Sequence, residues 1–319
     1  NKVKIIVGIL SLGLIFGGCK NENSKENPSS DPTIAYSNKN SNKSNEKNKK
    51  SDVDKKDQGK VVDGSINSEI LKQNWKYKVY LPNGYDEKSD EKYPVLYMLH
   101  GFGGNSSSIL EKSNTKDMLD KIMKDKENKM IVVFADGFSS FFVDSDYDKK
   151  MESAIKEELI KEIDGKYKTD ANKTKRAIGG FSVGGYGAAS LSLRNPDLFS
   201  KALLISPTLW DKLDEDSLIR RNYMAFSDGK QMWSDEVYKE KFPSNFINEN
   251  TKDINFYIRA SEGDSKIKIE DIEKFNKDLE KSEINTQFKK DGKEFDHDWD
   301  YWNKITEESY MWVLEEFNK

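Results

Sequence analysis

Apolar residues are distributed along the chain in three regimes. A short apolar run, Ile5 to Phe16, is followed by Lys20–Lys60, where Ile34, Ala35, Tyr36 and Val53 are the apolar positions. Beyond Lys60, strand-like and helix-like segments alternate. Val61–Ile70 and Asn74–Leu81 read as strands, the second alternating through Trp75, Tyr77 and Val79. Tyr93–Leu99 and Met130–Ala135 are near-continuous apolar runs, as parallel strands covered on both faces require. Arg176–Gly180, Lys201–Ser206, Ile254–Ala260 and Ile284–Lys289 are further strands. Met151, Ile155, Leu159 and Ile163 recur at helical spacing and predict a helix ending near Gly165. Ala188–Leu193 reads as helix, as do the stretches marked by Ile269, Ile272, Phe275 and Leu279 and by Ile305, Met311, Leu314 and Phe317. Eight strands interleaved with helices predict one α/β domain over 61–319 with a mostly parallel sheet.

One segment breaks the alternation. Thr208–Asn250 carries Trp210, Tyr223, Phe226, Trp233, Tyr238, Phe242 and Phe246 among charged residues. Two readings stand level: a cap lining a substrate cleft, 208–250, or an excursion whose aromatics pack on the domain.

The polar stretch has nothing with which to offset the entropy of ordering, so 19–60 is expected to be a disordered tether. Ahead of it, Lys2 and Lys4 precede an apolar run too short to span a bilayer, and Gly17-Gly18-Cys19 follows. That order resembles a bacterial lipoprotein signal, 1–18, whose Cys19 becomes lipidated. Phe16 departs from the leucine usual there. The expected location is the outer face of the cytoplasmic membrane, with the lipid anchor as the membrane contact.

Composition narrows the classes further. The 34% of charged residues are of mixed sign with a net charge of −4, which leaves no basic stripe and no case for nucleic-acid binding. A single cysteine excludes an intrachain disulfide and a cysteine metal site. No His/Asp/Glu cluster has metal-ligand spacing and no glycine-rich loop ends in Lys-Ser or Lys-Thr, so no cofactor is expected.

The candidate chemistry lies in Gly179–Gly187, where Gly180-x-Ser182-x-Gly184 sits between a strand and a helix. This is the context of a nucleophile elbow, a tight strand-to-helix turn that lifts a serine above a helix N-terminus. A serine hydroxyl needs a base, usually histidine, and the chain contains two, His100 and His297. His100, in Met98-Leu99-His100-Gly101-Phe102-Gly103-Gly104, directly follows a buried strand, the place of a backbone oxyanion loop, and reads as structural. His297, between the last strand and the last helix, is the base. The orienting acid follows the Ile254–Ala260 strand, as Asp264 or Glu262, with Asp264 preferred behind its turn glycine. Asp296 and Asp298 are expected to shape the histidine loop. The oxyanion donors are expected to be the Phe102 and Val183 N–H groups.

These residues resemble the esterase-D-like branch of the α/β-hydrolases. That branch includes S-formylglutathione hydrolases, feruloyl and acetylxylan esterases, enterochelin esterases and the antigen 85 mycolyltransferases. The matching stretches are Val79–Pro82, Tyr93–Asn105, Ile131–Gly137, Arg176–Ala188, Asn195–Phe199 and the His-x-Trp-x-x-Trp of His297–Trp302. The resemblance implies an α/β-hydrolase fold, a Ser182–Asp264–His297 triad and an oxyanion hole at Phe102 and Val183. It implies a serine carboxylesterase acting on a small-molecule or polysaccharide-linked ester, such as an acyl or feruloyl ester on carbohydrate. An antigen-85-like acyltransferase, a siderophore esterase and a non-catalytic binding lipoprotein are the alternatives. Asp296 departs from the glycine that the branch often carries before its histidine.

Overall fold

The computed structural model describes residues 58–124 and 128–319. The leader, Cys19 and all but residues 58–60 of the tether lie outside them. Eight strands form one sheet in the order β1-β2-β4-β3-β5-β6-β7-β8. They are β1 (Lys60–Ser68), β2 (Gln73–Leu81), β3 (Val95–Leu99), β4 (Ile131–Ala135), β5 (Arg176–Phe181), β6 (Lys201–Ile205), β7 (Asn255–Ser261) and β8 (Thr286–Asp291). β2 is antiparallel to β1 and β4, and every other pairing is parallel. This is the α/β-hydrolase sheet, as expected.

The central strands explain their own sequences. Val95, Tyr97 and Leu99 face one hydrophobic layer and Leu96 and Met98 the other. The same split places Ile131, Val133 and Ala135 opposite Val132 and Phe134. A strand with both faces covered must be apolar at consecutive positions, which is why these runs do not alternate. One layer packs beneath residues 151–166 and the helices Val183–Arg194 and Ile269–Lys281; the other packs beneath Thr115–Met123 and Trp299–Glu316. Among the described residues no helix is long and apolar enough to cross a membrane.

Two boundaries differ from the periodicity. The first strand stops at Ser68, where the Glu158 carboxylate receives the Glu69 and Ile70 N–H groups at 2.8 and 3.0 Å and turns the chain. Glu158 stands in a π-helical turn, Ile155–Leu159, within the helical stretch 151–166. The last helix begins at Trp299, ahead of its first spaced aliphatic. The Asp298 side chain caps it by accepting the Tyr301 N–H at 2.9 Å.

Strand register puts the chemistry on one rim. Leu99 pairs with both Ala135 and Gly180, Phe181 with Ile205, Ile205 with Arg259 and Ser261 with Asp291. The carboxyl ends of these strands therefore finish nearly level. The loops that follow β3, β4, β5, β6, β7 and β8 converge there, the edge where open α/β sheets receive ligands.

Candidate active site

Ser182 joins β5 to the helix Val183–Arg194 with φ 57° and ψ −117°. Such backbone is costly for a residue with a Cβ and is kept where the surroundings over-determine it. Here they do. The Ser182 N–H donates to the Ile205 carbonyl at 2.9 Å, and its own carbonyl accepts from Gly185, Tyr186 and Thr208 at 2.9, 3.2 and 3.1 Å. The glycines are required by contact: a Cβ on Gly180 would lie 2.3 Å from the Gly184 backbone, and one on Gly184 would lie 2.2 Å from the Leu99 carbonyl oxygen. Strand, turn and helix touch through bare backbone.

His297 reaches this serine from the loop between β8 and the last helix. Its Nε2 lies 2.8 Å from Ser182 Oγ, and its Nδ1 lies 2.7 Å from Asp264 Oδ2. With Nδ1–H donating to the carboxylate, Nε2 is left to accept the serine proton. The Asp264 side chain is 1% exposed. Its other oxygen accepts the Lys266 and Ile267 N–H groups at 2.8 and 2.9 Å, so neither oxygen is idle. Glu262 is exposed, and its N–H donates to the Asp291 carbonyl at 3.0 Å. Of the two acids left open by the sequence, Asp264 is the one that meets His297.

The acid and histidine loops are tied to each other. Asp296 Oδ1 accepts from the Ser265 N–H at 2.8 Å and the His297 N–H at 2.7 Å. Those donors, Ser265 first, hold the Asp296 carboxyl below the usual carboxylate range. The Ser261 hydroxyl lies 2.5 Å from the Phe295 carbonyl and 2.9 Å from that of Gly292. Beneath them Arg259 grips both oxygens of Asp291 at 2.8 and 2.9 Å, and the Tyr301 hydroxyl donates to the same carboxylate at 2.6 Å. Behind the imidazole, Trp302 stands edge-on at 5.0 Å and donates its indole N–H to Ser206 Oγ at 3.1 Å.

His100 sits elsewhere in the relay's surroundings. It is 3% exposed; its Nε2 accepts the Gly137 N–H at 2.8 Å and its Nδ1 meets the Gly101 carbonyl at 2.8 Å. Both nitrogens are thus committed to backbone, linking the loops after β3 and β4. The Gly101–Gly104 turn passes directly over the serine, and a Cβ on Gly101 would lie 3.3 Å from that of Ser182. Val183 opens its helix, so its N–H has no partner a turn back. Among the described residues no protein acceptor engages that N–H or the one on Phe102.

Residues 68–307 match the family model described as "Putative esterase". The chain belongs to this esterase family. Among curated relatives it is 35% identical over 136 residues to an endo-1,4-beta-xylanase/feruloyl esterase of Xylanibacter ruminicola, which is 40% of this chain and 19% of the relative. The chain thus spans about a fifth of that protein's length. With an acetyl esterase of Caldicellulosiruptor saccharolyticus it shares 24% identity over 270 residues, covering 77% of this chain and 95% of the relative. The fold is similar to that of a ferulic acid esterase, with a TM-score of 0.69 at 23% identity over 81% of this chain and 98% of the other. An S-formylglutathione hydrolase of Agrobacterium tumefaciens gives 0.67 at 19% identity, covering 82% and 96%.

In this member of the family the aromatic segment 208–250 packs on the domain. Trp210, Tyr223, Phe226, Trp233 and Tyr238 are buried, and Phe226 meets Phe141, Tyr186 and Tyr238 at ring separations of 5.0, 5.6 and 5.0 Å. Tyr186 lies one turn into the elbow helix, so the segment buttresses the serine's own support. It also reaches the glycine turn over the serine: Tyr223 stacks on Phe102 at 5.3 Å, and its hydroxyl accepts the Gly103 N–H at 3.1 Å. No local pattern announces that contact between residues 103 and 223. The double role of Asp296 was likewise absent from any spacing. Among the described residues no group of three or more His, Cys, Asp or Glu side chains is placed to hold a metal ion.

Proposed function

We propose that Ser182, His297 and Asp264 form the catalytic triad of a serine carboxylesterase that works through an acyl-enzyme. The observation that carries this is the unbroken relay from Asp264 through His297 to a strained serine, at 2.7 and 2.8 Å. His297 Nε2 takes the hydroxyl proton as Ser182 Oγ attacks the ester carbon. The Phe102 and Val183 N–H groups, without acceptors among the described residues, receive the oxygen that becomes negative. Collapse expels the alcohol, which leaves with the proton from the imidazolium. A water activated by the same imidazole then releases the acid and restores the serine.

Acyl or feruloyl esters on carbohydrate are the substrate class. The xylanase/feruloyl esterase and acetyl esterase relatives support that choice. The positive start, short apolar run and Cys19 support a lipid anchor on the outer face of the membrane. Loss of radiolabelled palmitate incorporation in Cys19→Ser cells is the expected check of that location.

A fluorophosphonate probe tests the chemistry. It is expected to label the wild-type protein and to leave Ser182→Ala unlabelled, with hydrolysis of p-nitrophenyl acetate and methyl ferulate lost in parallel. Equal labelling of the two proteins, or labelling of neither, would overturn the assignment. Transfer of the acyl group to a sugar hydroxyl in preference to water would instead identify an acyltransferase.

A further inference from the structure

The Phe102 N–H must be presented at a fixed place, since an oxyanion donor is worth most when it is already aimed before charge develops. Glycine-rich backbone is a poor material for that, having more conformations to lose than any other. In Gly101–Gly104 one internal bond, from the Gly104 N–H to the Gly101 carbonyl at 3.1 Å, closes the turn. His100 fixes where the turn begins, through its contact with the Gly101 carbonyl.

The far side of the turn is held by Tyr223. Its hydroxyl accepts the Gly103 N–H at 3.1 Å, and its ring lies against that of Phe102 at 5.3 Å and 23°. The Phe102 α-carbon is therefore gripped from two sides, by its own ring and by the peptide that follows it. Tyr223 has little freedom to give way. It is 2% exposed and meets Phe141 edge-on at 5.7 Å, and Phe141 in turn packs against Tyr186, Phe226 and Trp233 at 5.2, 5.0 and 5.7 Å. Burial pushes the phenol's pKa up, so a neutral hydroxyl meets the loop. Phe102, by contrast, is 46% exposed.

We infer that Tyr223 is a positioning residue for the oxyanion hole, its hydroxyl and ring setting the direction of the Phe102 N–H. The inference rests on the serine-esterase reading above and deepens it. It gives the 208–250 segment a part in transition-state stabilisation that its other aromatics, which fill volume, do not have. A group acting this way affects the step in which charge appears on oxygen and leaves substrate docking alone.

Tyr223→Phe in the full chain keeps the ring and removes the acceptor. Turnover is measured per serine titrated by fluorophosphonate, so that misfolded protein is not counted. The expected result is a fall of about tenfold in kcat per titrated site with KM within about twofold. The affinity for an arylboronic acid, whose tetrahedral adduct on Ser182 places an oxygen in the hole, is expected to weaken by the same factor as kcat/KM. Tyr223→Leu, which removes the ring as well, is expected to lose more. A purely structural tyrosine would lower the titrated fraction and leave kcat per titrated site and boronate affinity unchanged. That outcome, or a loss confined to KM, overturns the inference. If the wild-type protein neither titrates nor turns over esters, the esterase reading fails and the inference with it. A working wild type matched by Tyr223→Phe defeats the positioning role alone.

Discussion

On the serine side of the site backbone touches backbone; on the histidine side, side chains reach across loops. Ser182 is placed by the contact of bare glycine backbone at Gly180 and Gly184 with the neighbouring turn and β3. His297 and Asp264 are placed by polar bonds among residues that are distant in sequence: Asp296 to Ser265, Ser261 to the Phe295 carbonyl, Arg259 to Asp291. The first arrangement tolerates no added atom and asks for particular residues in consecutive positions. The second can be weakened one bond at a time. The two halves meet in the 2.8 Å hydrogen bond between Ser182 Oγ and His297 Nε2.

That difference can be tested by damaging each half in its own way. Gly184→Ala should have the largest effect. Its methyl would lie 2.2 Å from the Leu99 carbonyl oxygen, so helix and strand must part. Overpacking in a tight core costs about 1–3 kcal/mol and more where backbone is the obstacle. We expect a marked fall in the denaturant midpoint together with loss of activity; normal unfolding would show that the elbow has slack. Asp264→Asn attacks the other half through chemistry. It is expected to lower kcat by about 10⁴-fold by presenting the wrong tautomer at His297, with the unfolding midpoint little changed. A large loss of stability there would mean that the acid loop is as sterically fixed as the elbow.

Asp296→Asn should have the smallest effect, roughly tenfold or less in kcat, since it weakens two bonds to backbone N–H groups and leaves the relay itself in place. Its pH dependence has a defined sign. The folded carboxyl is held below its usual range, so its contribution to stability is complete above the ordinary carboxylate value near 4. It is lost as pH falls through the lower folded value. Thermal unfolding should thus separate wild type from Asp296→Asn at pH 7 and bring them closer together near pH 3. A gap that widens on acidification would contradict the arrangement described.

The same contrast explains what could be read from the residues. The eight strands were legible because a sheet covered on both faces demands apolar runs, as in Tyr93–Leu99 and Met130–Ala135, and strand ends moved by one or two residues only. The elbow was legible because its contacts are enforced within one short run of chain. His297 was legible by scarcity, there being two histidines and one of them in the glycine loop. The short helices Leu218–Asn222 and Asp235–Glu240 were not. At that length a helix owes its stability to tertiary packing rather than to propensity. The Tyr223–Gly103 bond was hidden for the same reason, because it joins two regions that nothing local connects. Glu158 ended the first strand early by capping a turn from 88 residues away.

The level carboxyl ends of β3 to β8 have a consequence for descent. With the proposed chemical groups gathered on one rim, the turns at the opposite ends of these strands carry only the work of connection. Insertions and drift there leave the relay untouched, while loops on the working rim can be rebuilt around a fixed serine and histidine. A lineage built on this sheet can therefore change what it recognises without changing how it reacts.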